Sequence, residues 1–255
     1  MTFIFDWSGV LTGAPLHWLI SGFFTTICVT GAASLLASLL TVILLGLRIS
    51  ESRVAKVLVS TVTELFRNTP LLVQILFWYF VAFGILPQSW RDWINAEHPW
   101  ATLPGNIPLL SSEFVASTWG LAIFSAVFIA EEIRAGLRAI PKGQHEAARS
   151  QGLAHWDILR YVLLPQALSN SFQPVVGQYL NLMKLSSLAT AIGLAEITYQ
   201  VRQVESYNSH ALEAFAVGTI LYLALGMAIG RLFLLFEPKR RNGRAKMVRK
   251  VPDAL

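Results

Sequence analysis

Charge is scarce in this chain: of its 255 residues only 14% are Asp, Glu, Lys or Arg, against 54% hydrophobic. Soluble domains carry about 25% charged residues, so a water-solvated globule is the first class excluded, and the mean hydropathy of +0.53 agrees. Cysteine is nearly absent. Cys28 stands alone, which rules out an internal disulfide, and its apolar neighbourhood reads as that of a small buried residue. No Lys or Arg precedes the first apolar run, so the N-terminus does not read as a signal peptide. The chain has no G-x-x-x-x-G-K-[ST] phosphate loop, so ATP hydrolysis of its own is not expected. His17, His98, His145, His155 and His210 lack metal-ligand spacing, and no Ser or Cys nucleophile constellation stands out. The sequence therefore suggests neither an enzyme, nor a catalytic residue, nor a metal site.

What is present is apolar length. A bilayer core needs about 20 mostly apolar residues per helix. Five windows qualify, at about 18–47, 57–86, 114–133, 168–195 and 212–236. They predict an all-α integral membrane protein with one transmembrane domain over 1–236 and a basic tail over 237–255. The stretch 87–112 reads as a loop whose Trp90, Trp93 and Trp100 suit a membrane interface.

The net charge of +5 could suit nucleic acid or an anionic membrane, and position decides between them. With the N-terminus outside, sixteen of the twenty Lys and Arg residues fall on inner segments. They run from Arg48, Arg53 and Lys56, through Arg134 to Arg160, to the tail. Outer loops hold only Arg91 and Arg202. The positive-inside rule then predicts N-out and C-in. The basic tail can rest on anionic lipid, with no nucleic acid partner, and is expected to be dispensable for the work of the spans.

Polar residues recur inside these windows. Asn170, Gln173, Gly177, Asn181, Lys184 and Ser187 follow one another at steps of 3 and 4, which is one stripe on one helix. A charge at mid-membrane costs about 2.5–3.5 kcal/mol on insertion scales, so the stripe must face protein or water. A sister-helix interface and a solute path both fit. In the second window Asn68-Thr69-Pro70 predicts a kink or break. Arg67 and Gln74 flank it, and broken helices can present solute sites. Arg67 could pair with a carboxylate through its planar fork or snorkel to headgroups. Thr26, Thr30, Ser34, Ser38 and Thr41 in the first window read as close helix packing. Glu131 can pair with Arg134, and Glu132 with Arg138.

The feature that apolar length cannot explain is the polar loop 139–165. Pro141 suits a first helical turn, Gly143–Gln151 can be helical, and Gly152 suits a helix stop. A second short helix, about His155–Leu163, is expected to end at Pro165. Ala147 and Ala148 are small, which offers another protein a close approach.

The segment EAARSQG (146–152), with V-L-L-P ending at Pro165, resembles the EAA loop of permease subunits of ATP-binding cassette importers. Val162 stands where Ile is more usual. ELFRNTPLLVQILFWYF (64–80), FIAEEIRAGLRAIPKGQ (128–144) and NLMKLSSLATAIGL (181–194) resemble the polar amino-acid branch, with overall similarity to glutamate/aspartate importers. The resemblance implies that Glu146, Ala147, Ala148, Gly152, Leu164 and Pro165 dock into an ATP-hydrolysing subunit. It implies two such subunits, which bind ATP and Mg in place of any cofactor in this chain, and a periplasmic amino-acid-binding protein. Five helices are few to enclose a path. A second permease is therefore expected, with a related heterodimer partner favoured and an identical copy also open. Arg67, Gln74, Gln173, Asn181, Lys184 and Ser187 are the candidate substrate-path residues. The setting implied is the bacterial inner membrane, multi-pass. Another polar amino acid or an opine remains open as substrate, and an ATP-independent secondary transporter is the rival class.

Overall fold

The computed structural model describes residues 5–103 and 107–238. The tail expected to be dispensable lies almost wholly outside the described residues. The long helices are α1 (Gly13–Ile49), α2 (Arg53–Arg67), α3 (Leu71–Ile85), α4 (Gln88–Asn95) and α5 (Ser112–Arg138). They continue as α6 (Lys142–Ser150), α7 (His155–Ile192), α8 (Ile197–Asn208) and α9 (Ala211–Leu234). A single turn, Ser8–Leu11, precedes them. Extended pairing among the described residues is a two-residue antiparallel ladder, Thr102 opposite Pro108 and Leu103 opposite Ile107.

Three helices, α1, α5 and α9, are long and apolar enough to cross a membrane unaided. Two more spans exist if each bent pair counts once: α2 with α3, bent by 106°, and α7 with α8, bent by 50°. The break between α2 and α3 falls at Asn68-Thr69-Pro70, because Pro70 supplies no N–H and forces Thr69 out of helical geometry.

Small residues set how closely the spans pack. Val29, Ala33 and Ala37 of α1 meet Leu121, Ala122, Ala126 and Ile129 of α5 in one buried cluster. With hydrocarbon outside there is no hydrophobic gain in joining helices, so close van der Waals contact and interhelical hydrogen bonds hold them. The first-helix row behaves this way: Thr41 donates to the Ala126 carbonyl at 3.2 Å, and Ser38 Oγ lies 2.6 Å from the Tyr179 hydroxyl. The closest approach is at Gly136, where a Cβ would sit 2.5 Å from the Ala167 carbonyl of α7.

Three sequence expectations change. The segment after 195, read as an outer loop carrying Arg202, is helix α8, whose Ile197, Val201 and Val204 are buried with Leu19 of α1 and Ala214 of α9. Its apolar face is only three residues wide, too little to stand out beside a span. The stretch 87–112 contains α4, not just loop. Pro165 does not end a short helix: the chain runs on through a π turn, Ile158–Leu163, into Leu164–Leu185. The wider turn before Pro165 makes room for its ring and absorbs the missing donor.

Candidate functional site

The polar loop folds as a helical hairpin at one end of the bundle, the end that also carries Arg48, Arg134 and Arg138. Pro141, extended at φ −58° and ψ 137°, starts α6. Gly152 stops it at φ +80°, a left-handed conformation that glycine adopts without a Cβ clash. Glu146 and Ala147 point outward. Ala148 does not: it is buried, at 6% exposure, where α6 packs against the π turn with its buried Ile158 and Leu159. Of the two alanines expected to meet a partner, only Ala147 is free to do so. Leu164 and Pro165 are exposed at the start of the long helix.

The hairpin also shows Trp156 and Tyr161, both largely exposed, with the Arg160 guanidinium 5.5 Å from the Tyr161 ring centroid. Sequence reasoning passed over them. Two bulky aromatics inside a polar loop were the available signal, since exposed aromatics favour protein contact surfaces.

The hairpin base is locked to the bundle. Asn170 Nδ2 donates to the Gly136 carbonyl at 3.2 Å, and Gln178 Nε2 donates to Glu132 at 3.2 Å. Glu132 is thus held by α7 and not by Arg138. Glu131 joins Arg134 at 3.2 Å, as its spacing suggested, and also Arg48 of α1 at 2.9 Å.

Above that base the polar stripe of α7 divides. Asn170 faces α5, and Gln173 Nε2 donates to Glu237 at 2.8 Å. Gly177, Asn181 and Lys184 lie exposed in a row, and Lys184 makes no ion pair among the described residues. Ser187 turns back to the Lys184 carbonyl. Arg67, also exposed, stands 5.5 Å from the Phe128 ring centroid. Gln74 is buried and spans the break, donating to the carbonyls of Phe66 at 2.9 Å and Thr69 at 3.0 Å. Its amide nitrogen is committed to the backbone beside Pro70, while Oε1 finds no partner among the described residues.

A second polar cluster had no sequence signal. Glu196, fully buried, accepts from the N–H groups of Thr198 and Tyr199 and so caps α8. Tyr222 of α9 donates to Oε2, the oxygen that also takes the Thr198 N–H, and the Ile197 N–H donates to Thr26 of α1 at 3.1 Å. The cluster joins three helices through residues far apart in the chain.

An exposed polar row on a membrane helix, together with a locked hairpin that turns Glu146 and Ala147 outward, describes a membrane subunit built to work with others. Residues 38–242 match the family described as binding-protein-dependent transport system inner membrane component. The chain belongs to that family. The glutamate/aspartate import permease protein GltJ of Escherichia coli is 34% identical over 94% of this chain and 97% of its own length. The glutamine transport system permease protein GlnP of Escherichia coli is 31% identical over 93% and 97%. A solved structure described as an amino acid ABC transporter with histidines has a TM-score of 0.74 at 30% identity, covering 92% of this chain and 99% of that one. The inward-facing MetNI methionine transporter shares the fold, with a TM-score of 0.59 at 20% identity. The permease is thus a multi-pass inner-membrane subunit of an amino-acid ATP-binding cassette importer. It is not itself the enzyme, and it works with a permease partner, ATP-hydrolysing subunits and a binding protein.

Proposed function

We propose that this permease carries glutamate or aspartate inward. The observation that carries the proposal is near end-to-end similarity to a glutamate/aspartate import permease. The N-terminus lies outside and the C-terminus inside, because Arg48, Arg134, Arg138 and Arg149 share the hairpin's end of the bundle. The domain spans 1–236. Two ATPase subunits, which hold ATP and Mg, grip the hairpin through Glu146, Ala147 and the turn at Gly152, with Leu164 and Pro165 at its base. Their closure moves the hairpin as a lever, and the spans exchange outward for inward access as a population shift. The exposed row from Gly177 to Lys184 faces a second, related permease across the path. Arg67 and Lys184 are the candidate partners of the substrate carboxylate.

Glu146→Lys and Gly152→Asp test the lever. Both should leave the permease inserted but abolish solute-stimulated ATP hydrolysis in reconstituted transporter. Normal stimulation in both would rule out the hairpin as the coupling element. Solute binding to the accompanying periplasmic protein identifies the substrate. Glutamine is the second reading, supported by 31% identity to a glutamine permease, and octopine the third, from an octopine permease of Rhizobium radiobacter at 32% over 70% of this chain.

A further inference from the structure

We propose that the basic end of the permease holds one anionic phospholipid in a cleft between the α1–α2 elbow and the base of the hairpin. The cleft measures ≈ 420 Å³, within the range of about 300–1,000 Å³ typical of small-molecule sites. Its walls are apolar: Leu45 and Ile49 of α1, Ile133 and Leu137 of α5, Leu159 and Leu164 of α7. Its lining also includes three cations, Arg48, Lys56 and Arg134. One carboxylate, Glu131, is shared between the two arginines at 2.9 and 3.2 Å, and Lys56 has no ion pair among the described residues. The cleft therefore keeps surplus positive charge above an oily slot.

A phospholipid offers the matching pattern, a phosphate joined through a short glycerol link to acyl chains. A free phosphate would satisfy the cations but leave six aliphatic side chains wet, and an apolar peptide would leave Lys56 desolvated without a partner. The geometry of α2 supplies access. Val54, Val57 and Leu58 are 76%, 66% and 54% exposed along one face, while Val59 and Thr63 are buried on another. Helical spacing puts Lys56 and Ser60 between those faces. An amphipathic helix of this kind lies in the membrane interface, so the cleft opens where headgroups meet hydrocarbon.

Leu159 and Leu164 belong to the hairpin's base. On the reading of that hairpin as the coupling element, lipid in the cleft braces the lever, and anionic lipid raises ATP hydrolysis. Binding itself does not depend on that reading.

The test uses the whole transporter and native mass spectrometry. Samples are exchanged into phosphatidylglycerol, into phosphatidylcholine of the same chains, or into inorganic phosphate. Phosphatidylglycerol should be retained in preference to phosphatidylcholine. Lys56→Gln should lower that retention about fivefold, the effect of one lysine beside an anionic lipid surface, and Ser60→Phe should block the slot. Glu146→Lys should uncouple ATP hydrolysis with retention unchanged, which separates failure of the lever from failure of the lipid site. Equal retention of the two lipids, or undiminished retention in both cleft variants, overturns the proposal. So does displacement of lipid by inorganic phosphate alone, or a photocrosslinker at position 60 that captures an ATPase subunit in place of lipid.

Discussion

The hydroxyl of Tyr222 donates to Glu196 Oε2 at 2.5 Å, joining α9 to the start of α8 through a carboxylate that is fully buried. The other oxygen of Glu196 is taken by the Tyr199 N–H at 2.9 Å, and Thr198 N–H adds a third bond at 3.0 Å. A carboxyl group buried in a membrane protein is stable only when its oxygens are filled in this way. Glu196→Ala takes the acceptor from three part-buried donors, of which the Tyr222 hydroxyl keeps a neighbour in Thr198 Oγ1, and should cost about 1–3 kcal/mol. Glu196→Gln, which keeps one acceptor, should cost less. Thermal unfolding of the purified permease measures both, and a Glu196→Ala midpoint equal to the native one would show that the cap contributes nothing.

Gly136 and Gly31 make a matched pair. A Cβ at Gly136 meets the Ala167 carbonyl at 2.5 Å and Ser171 Cβ at 2.9 Å, while one at Gly31 meets nothing within 4 Å. Gly136→Ala should therefore destabilise by about 1–3 kcal/mol by forcing α5 and α7 apart. Gly31→Ala should be neutral, or stabilising by up to about 1 kcal/mol through helix propensity. Unfolding midpoints in the same detergent give the comparison.

Gln74→Leu keeps the side chain's bulk and removes both bonds across the break. The carbonyls of Phe66 and Thr69 lose their donor, at a cost of about 1–3 kcal/mol. Crosslinking between cysteines placed in α2 and α3 should show a wider spread of angles than the native 106°.

Arg67→Ala with Lys184→Ala should weaken transport of an acidic amino acid more than that of a neutral one. Arg67 places an exposed charge at the α2–α3 break and Lys184 one on α7, and loss of a carboxylate partner acts only on a charged substrate. Uptake by proteoliposomes reads the effect, and unaltered affinity and rate would remove both residues from the path.

At the N-terminus the Ser8 hydroxyl and the Gly9 N–H hold the Asp6 carboxyl below its ordinary value of 3.8, with smaller help from His210. His210 Nε2 lies 3.6 Å from Asp6, and Asn208 donates to the Gly9 carbonyl at 2.6 Å. A depressed carboxyl contributes stability that is present above its unfolded-state pKa and lost as pH falls through the lower folded value. Amide exchange at Ser8 and Gly9, corrected for intrinsic rate, should therefore speed up between about pH 6 and about pH 3. In Asp6→Asn it should be fast at both.

The α2–α3 break and the hairpin were legible because each rests on local chemistry: a proline that cannot donate, a glycine that can turn left-handed. The same holds for the Glu131–Arg134 pair, one turn apart on a helix. The candidate path residues were only half legible. Periodicity put Gln173, Asn181 and Lys184 on one face of a helix, yet it could not tell that Gln74 turns inward to the break. Ala148 shows the same limit, since a small residue in a polar loop can meet either a partner or its own hairpin.

What the sequence by itself determined is therefore membrane residence, the spans, the turns and the family. These follow from hydrophobic length, from residues with special backbone geometry and from contiguous motifs, all of which act between near neighbours. The tertiary structure alone decided which polar groups are spent inside the fold and which remain for partners. Glu196, Tyr222 and Thr26 meet only because α1, α8 and α9 converge, and Gly136 matters only because α7 crosses it. A buried polar group must find its partner wherever the packing brings one, and that distance in the chain leaves no trace in local pattern.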